Sequence, residues 1–277
     1  MCYLSAFFNE PMALSLEKDG IHLWFAYPDE INDQALLLSY ADLLNDEEQN
    51  RWQRFHFARH RQQYLITRAL LRTTLSCYRD IEPKAWRFDF NAYGKPEIAQ
   101  SQNQTGLPIR FNLSHTDGLI MCGIALTHDV GVDVEHKAKD RASLNIAEHY
   151  FAKAEIAGLK QIPEHQKPQR FFEYWTLKEA YIKARGMGLS LPLDQFSFIM
   201  PEQQRVQIAF EPGMQDNPDH WQFWRLYPSP QHIAAVAVNA PPHNGFRLSA
   251  CKVVPLQSRL PLPISAMLAS SNNHSLA

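Results

Sequence analysis

Four short stretches of this sequence hold side chains whose types and spacing could do chemistry. In Gly131-Val132-Asp133-Val134-Glu135 the alternation is that of a strand, so Asp133 and Glu135 share a face while Val132 and Val134 turn to the core. Two hard carboxylate oxygens on a rigid strand suit Mg²⁺, with a substrate phosphate and water completing its shell. The plainer reading is a half-exposed strand with solvated acids. His128 and His136 flank the pair, but His136 falls off the carboxylate face, which makes zinc the poorer choice. On the helical stretch 171–186, Glu179 and Lys183 are four apart. They read as a surface ion pair worth about 0.3–0.5 kcal/mol or, beside Phe172, Trp175 and Ile182, as a carboxylate for a metal and an ammonium for a phosphate.

Phe111-Asn112-Leu113-Ser114-His115-Thr116-Asp117 brings Ser, His and Asp close in sequence. Neighbours on a strand project to opposite faces, so Ser114 and His115 cannot work as nucleophile and base. The chain also has no G-x-S-x-G elbow. Hydrogen bonding remains for both, and for His115 either a contact to an anion or a place in the core. The segment 51–72 carries Arg51, Arg54, Arg59, Arg61, Arg68 and Arg72 with no acid. On one continuous helix all but Arg59 fall near one stripe, which reads as a solvated face, a polyanion site or a dock for an acidic partner. Tyr93-Gly94-Lys95-Pro96 adds a tight turn with a cation, of the kind that lets backbone approach a ring or phosphate closely. Neither a Walker motif nor G-x-G-x-x-G is present.

The elements that must position these residues are legible as an α+β pattern. Ile21–Tyr27 reads as a strand, and Asn45 with Glu48 as a capping box opening a long helical region through Leu71, either continuous or interrupted at Phe55–Arg59. Trp86–Phe90, Ile109–Leu113, Leu119–Leu126 and Val130–Glu135 read as strands, and Ser143–Lys160 as one helix. A helix from about Gln166 to Arg185 is stopped by Gly186 in the left-handed conformation. Strands are expected at Phe196–Met200, Val206–Phe210, Trp221–Tyr227 and His232–Val238, and the tail frays from Pro261. With 277 residues, the chain is expected to divide into an N-terminal half over 1–118, a C-terminal half over 119–245 and a tail over 246–277.

Composition limits the function classes. A net charge of −2 argues against a dedicated nucleic-acid binder. Cys2, Cys77, Cys122 and Cys251 form no C-x-x-C pair and read as reduced thiols of a cytoplasmic protein. Met1–Asn9 is apolar without a basic n-region, so no signal peptide is expected, and no stretch approaches the ~20 apolar residues of a membrane span.

Taken in order, Tyr93-Gly94-Lys95-Pro96, Phe111–His115, Gly131–Glu135 and Trp175–Leu189 resemble the surfactin-type 4′-phosphopantetheinyl transferases. The family's wording, G-[IV]-D-[IV]-E and W-x-x-K-E-[AS]-x-x-K-x-x-G-x-G, is met without a miss. The resemblance implies a pseudo-twofold monomer of two similar α/β halves with coenzyme A in the cleft between them. It implies Mg²⁺-dependent transfer of phosphopantetheine to a serine of an apo acyl or peptidyl carrier protein, releasing adenosine 3′,5′-bisphosphate. By position, Asp133, Glu135 and Glu179 would bind Mg²⁺, and Lys183 would contact the pyrophosphate. Gly94, Lys95 and Pro96 would border the adenine, and Ser114, His115 and Arg59 would lie near the 3′-phosphate. Glu179, or a water beside the metal, would take the serine proton. Two rivals are a non-catalytic coenzyme A or carrier-protein binding module and a nucleic-acid binder using the arginine segment.

Overall fold

The computed structural model describes residues 14–104, 106–138, 144–200, 206–241 and 245–264. The expectations for Met1–Asn9, for the first residue of the Ser143 helix and for the end of the tail lie outside the described residues. In chain order the elements are β1 (Gly20–Ala26), α1 (Gln34–Ala41), α2 (Asp46–Gln53), α3 (Ala58–Ser76), β2 (Phe88–Phe90), β3 (Pro96–Ile98), β4 (Ile109–Thr116), β5 (Leu119–Leu126) and β6 (Val130–His136). There follow α4 (Leu144–Tyr150), α5 (Lys153–Gln161), α6 (Lys167–Arg185), β7 (Phe196–Ile199), β8 (Gln207–Phe210), β9 (Trp221–Ser229), β10 (His232–Asn239), β11 (Arg247–Val254) and β12 (Ser258–Leu262).

The chain divides into two compact units, and the division differs from the expected one. The first takes the chain up to Asp89, then Pro96–Thr127 and Arg247–Pro263. Its sheet runs β12-β11-β1-β5-β4, with β1 and β11 parallel and the other pairs antiparallel. A boundary at 118/119 would cut the β4–β5 ladder, which is paired from Ile109↔Leu126 to Thr116↔Leu119. The expected tail over 246–277 instead supplies β11 and β12 to this sheet. β5 is buried along its whole length, so its LIMCGIAL run shows no alternation. Leu65, Ile66, Ala69 and Leu70 of α3 share the core with Trp24, Tyr40 and Trp86.

The long N-terminal helix is two helices, because the chain breaks between Gln53 and Ala58. Asn45 and Glu48 form the expected capping box. Glu48 Oε2 also accepts from Arg72 Nη2 at 2.7 Å and Nε at 3.0 Å, while Arg72 donates to the Pro83 and Trp86 carbonyls at 3.0 Å each. Arg72 is therefore a fully buried tie between helices, and the stripe expected of all the arginines but Arg59 does not exist. A buried guanidinium is tolerable only with such complete pairing.

The second unit holds Phe90–Lys95 and His128–Phe246. Its main sheet runs β6-β10-β9, antiparallel throughout. Phe171, Leu177 and Tyr181 of α6 share a core with Phe196, Phe223 and Ala235. The helix expected over Ser143–Lys160 is interrupted after Tyr150: Phe151 and Ala152 are buried, and Glu155 turns back to accept from the Ala152 N–H at 3.0 Å. Each unit thus sets a sheet beside a 19-residue helix, α3 in one and α6 in the other.

Candidate functional site

Gly131 decides how the acidic strand meets the helix. A Cβ at that position would lie 2.0 Å from the Ala180 carbonyl oxygen and 2.4 Å from the Ala184 nitrogen, so β6 and α6 touch backbone to backbone. This close approach brings the Asp133–Glu135 strand to the helical turns that carry Glu179 and Lys183. Val132 and Val134 enter the core as alternation requires. Asp133 and Glu135 are buried as well, at 5% and 9% exposure, which removes the reading of two solvated acids.

Lys183 does not belong to a solvated helix face either. Its Nζ donates to Asp133 Oδ1 at 2.6 Å. The Glu179 carboxyl is pushed up to about 7, chiefly by burial and then by the Asp133 charge, with Lys183 opposing and Glu135 adding to the rise. Glu179 thus lies in the field of two strand carboxylates, opposed by the Lys183 ammonium.

The turn after β2 is held against the C-terminal end of the same helix, just beyond Lys183. Asn91 N–H donates to the Lys95 carbonyl and Gly94 N–H to the Asn91 carbonyl, both at 3.0 Å, with Gly94 at φ +83°. A three-residue loop closed by a left-handed glycine is a favoured hairpin solution. Lys95 Nζ donates to the Ala184 carbonyl at 3.1 Å, so this cation caps the C-terminal end of α6, where the helix dipole favours it. Gly186 terminates α6 at φ +65°, as expected from the sequence.

In the first unit, Ser114 is buried and His115 exposed on successive positions of β4, which excludes both a nucleophile–base pair and the core-histidine reading. Arg59 lies in the first turn of α3 and pairs with Asp117 at 3.1 Å, both side chains being more than half exposed. Such a pair contributes about 0–1 kcal/mol, so the guanidinium is cheaply released to a stronger anion. Beside it, Gln63 Nε2 donates to the Thr116 carbonyl at 2.7 Å. Arg59, Gln62, Gln63, Asp29 and Gly118 line a small hollow of about 50 Å³.

Residues 129–237 match the 4′-phosphopantetheinyl transferase superfamily, and residues 32–125 match the 4′-phosphopantetheinyl transferase N-terminal family. The chain is 33% identical over 229 residues to the 4′-phosphopantetheinyl transferase HetI of Nostoc sp., covering 83% of this chain and 92% of HetI. The chain belongs to the 4′-phosphopantetheinyl transferase family. Sfp of Bacillus subtilis is 30% identical over 169 residues, 61% of this transferase and 72% of Sfp. For gsp of Aneurinibacillus migulanus the figures are 30% over 174 residues, 63% and 69%.

One motif residue of the transferase serves the fold and not the site. Lys178, between Leu177 and Glu179, is 1% exposed and pairs with Glu155 at 2.8 Å. Its Nζ also donates to the Leu193 and Phe196 carbonyls at 2.7 and 2.6 Å, and Glu155 Oε1 accepts from the Phe198 N–H at 2.9 Å. Burial pushes Glu155 up and Lys178 down, each opposed by the other's charge. Helical spacing alone signals this: a residue next to Glu179 points about 100° away around the helix. Glu155 gave no signal, because nothing local distinguishes it from a surface acid.

Among the described residues, no three His, Cys, Asp or Glu side chains form a ready-made metal group. None of the described helices is long and apolar enough to cross a membrane.

Proposed function

We propose that this transferase moves the 4′-phosphopantetheine arm of coenzyme A to a serine of an apo acyl or peptidyl carrier protein, with Mg²⁺, and releases adenosine 3′,5′-bisphosphate. The observation that carries this reading is the backbone contact at Gly131, with Lys183 on Asp133 and Glu179 in the field of both strand acids. Mg²⁺ fits the donor set, since Asp133, Glu135 and Glu179 offer only hard oxygens. The strand acids add to the rise that burial gives Glu179, and a divalent cation would offset that added repulsion. When bound, that ion would neutralise charge on the pyrophosphate.

The chain's own residues supply the rest. The serine oxygen forms a bond to the pantetheine-side phosphorus as that phosphorus parts from the bisphosphate, and the serine proton goes to a base. The base is Glu179 or a water beside the metal; a carboxylate that ligates Mg²⁺ loses basicity, which favours the water. Lys183 offers a cation to the leaving phosphate. Gly94, Lys95 and Pro96 border the adenine. Arg59, Ser114 and His115 serve the 3′-phosphate, and the exposure of Arg59 and His115 supports this. The enzyme acts as a cytoplasmic monomer; the free thiols Cys77, Cys122 and Cys251 support a reducing compartment.

The test is bisphosphate release with a panel of apo carrier proteins, which also identifies the carrier served. Asp133→Ala is expected to lose at least ~10²-fold in turnover while its melting temperature holds. Wild-type turnover by folded Asp133→Ala in saturating Mg²⁺ overturns the metal assignment. Coenzyme A binding without release from any carrier would make the chain a binding module.

A further inference from the structure

We infer that Asn91 is a positioning residue: it ties the Gly94-Lys95 turn to the C-terminal end of α6 and thereby sets the affinity for the adenosine portion of coenzyme A. The inference rests on the reading above that this turn borders the adenine.

Asn91 makes contacts in two directions at once. Its Oδ1 accepts from the Tyr93 N–H at 2.9 Å and the Lys95 N–H at 3.0 Å, which shapes the turn from inside. Its Nδ2 donates to the Gly186 carbonyl at 2.8 Å, which fixes the turn to the helix end. Both partners of Oδ1 are donors and the partner of Nδ2 is an acceptor, so the amide has one chemically consistent orientation. Only an amide side chain supplies an acceptor and a donor in this arrangement: Asp has acceptors alone, and Ser is too short to reach both.

The helix end is built to receive it. Gly186 caps the helix, its N–H closing the last turn on the Ile182 carbonyl at 2.9 Å, while its own carbonyl is among those that lack helical partners. It is left-handed at φ +65°, and a Cβ there would lie 2.9 Å from Asn91 Nδ2 and 3.0 Å from Lys95 Cδ. Glycine at this point therefore satisfies the helix stop and makes room for the docked amide. Lys95 adds the second strut through the Ala184 carbonyl. The tip is left outward: Tyr93 and Gly94 are exposed, while Asn91 and Lys95 are half-buried. A tip with a fixed base is pre-organised for a flat ring, and pre-organisation appears as affinity.

The experiment measures KM for coenzyme A, kcat, the inhibition constant of adenosine 3′,5′-bisphosphate and the melting temperature for wild type, Asn91→Ala and Asn91→Asp. Asn91→Asp keeps both bonds that shape the turn and puts an oxygen against the Gly186 carbonyl. It is expected to raise KM and the inhibition constant together, by about five- to tenfold, the equivalent of one lost hydrogen bond. Its kcat should stay within about twofold, since the bond broken lies away from the adenosine end. Asn91→Ala should show the same split, at least as large. Asn91→Asp with wild-type constants overturns the inference, as does a fall in melting temperature with KM unchanged. A wild-type enzyme that releases bisphosphate but is not inhibited by it removes instead the placement of the adenine. A wild type that releases none removes the proposed function itself.

Discussion

Replacing Gly131 by alanine tests the contact on which the site depends. The new methyl would lie 2.0 Å from the Ala180 carbonyl oxygen and 2.4 Å from the Ala184 nitrogen. An ordinary carbon–oxygen contact is about 3.3 Å, so strand and helix must separate by about 1 Å. The obstructing atoms are backbone of α6 and cannot swing aside as a side chain would. Overpacking of this kind costs about 1–3 kcal/mol, and the rigid neighbours place it at the upper end. Alanine recovers about 0.4–1 kcal/mol through the unfolded chain. The net loss is then about 2 kcal/mol, or roughly 4–8 °C in melting temperature for a chain of this size.

The catalytic effect should be larger, because Asp133 and Glu135 ride on β6 while Glu179 and Lys183 ride on α6. A misplacement of about 1 Å can cost ~10²-fold in rate. Gly158→Ala is the control, since there a Cβ would meet only the Tyr174 hydroxyl, at 3.2 Å. It should stay within about 1 kcal/mol of wild type, the helix-propensity gain of alanine offsetting a tight side-chain contact at this half-buried position. The measurements are thermal melts beside bisphosphate release. A Gly131→Ala protein with wild-type melting and turnover would refute the geometry. Lower melting with unchanged turnover would show that the strand–helix spacing does not control the chemistry.

Two further outcomes are expected. In chelator, the part of wild-type stability that Glu179 supplies should fall as pH rises from about 4.5 to about 7, because its raised carboxyl binds a proton in the folded state that the unfolded chain has already lost. Glu179→Gln should flatten that slope, by at most about 3 kcal/mol at high pH, and Mg²⁺ should restore wild-type stability above neutrality; an identical pH profile in the variant would count against this. Lys178→Met leaves Glu155 buried without its ammonium and should cost about 3–5 kcal/mol, while Lys178→Met with Glu155→Gln recovers part of it. Turnover per folded molecule should remain near wild type in both, and melts of the single and double variants against rates check it.

The local chemistry of this chain was written in its sequence. The alternation of Val130–Glu135, the capping box of Asn45 and Glu48, the stop at Gly186 and each of the four motifs depend on residues a few positions apart. Such short-range rules act wherever the segment sits. Tertiary structure decided what distant residues alone could decide. Arg72 and Lys178 look like any surface cation until Glu48, 24 residues away, and Glu155, 23 residues away, take them into the core. The arginine stripe failed because the chain breaks between α2 and α3, and because Glu48, in the first turn of α2, takes Arg72 into the core. β11 looked like a tail because its partner, β1, lies at the opposite end of the sequence, paired through Gly20↔Arg247. A strand's own residues carry its face pattern, whereas its neighbour is chosen by the whole sheet. The burial of Asp133 and Glu135 has the same origin: alternation sets which way they point, and the α6 backbone, admitted by a missing Cβ at Gly131, encloses them.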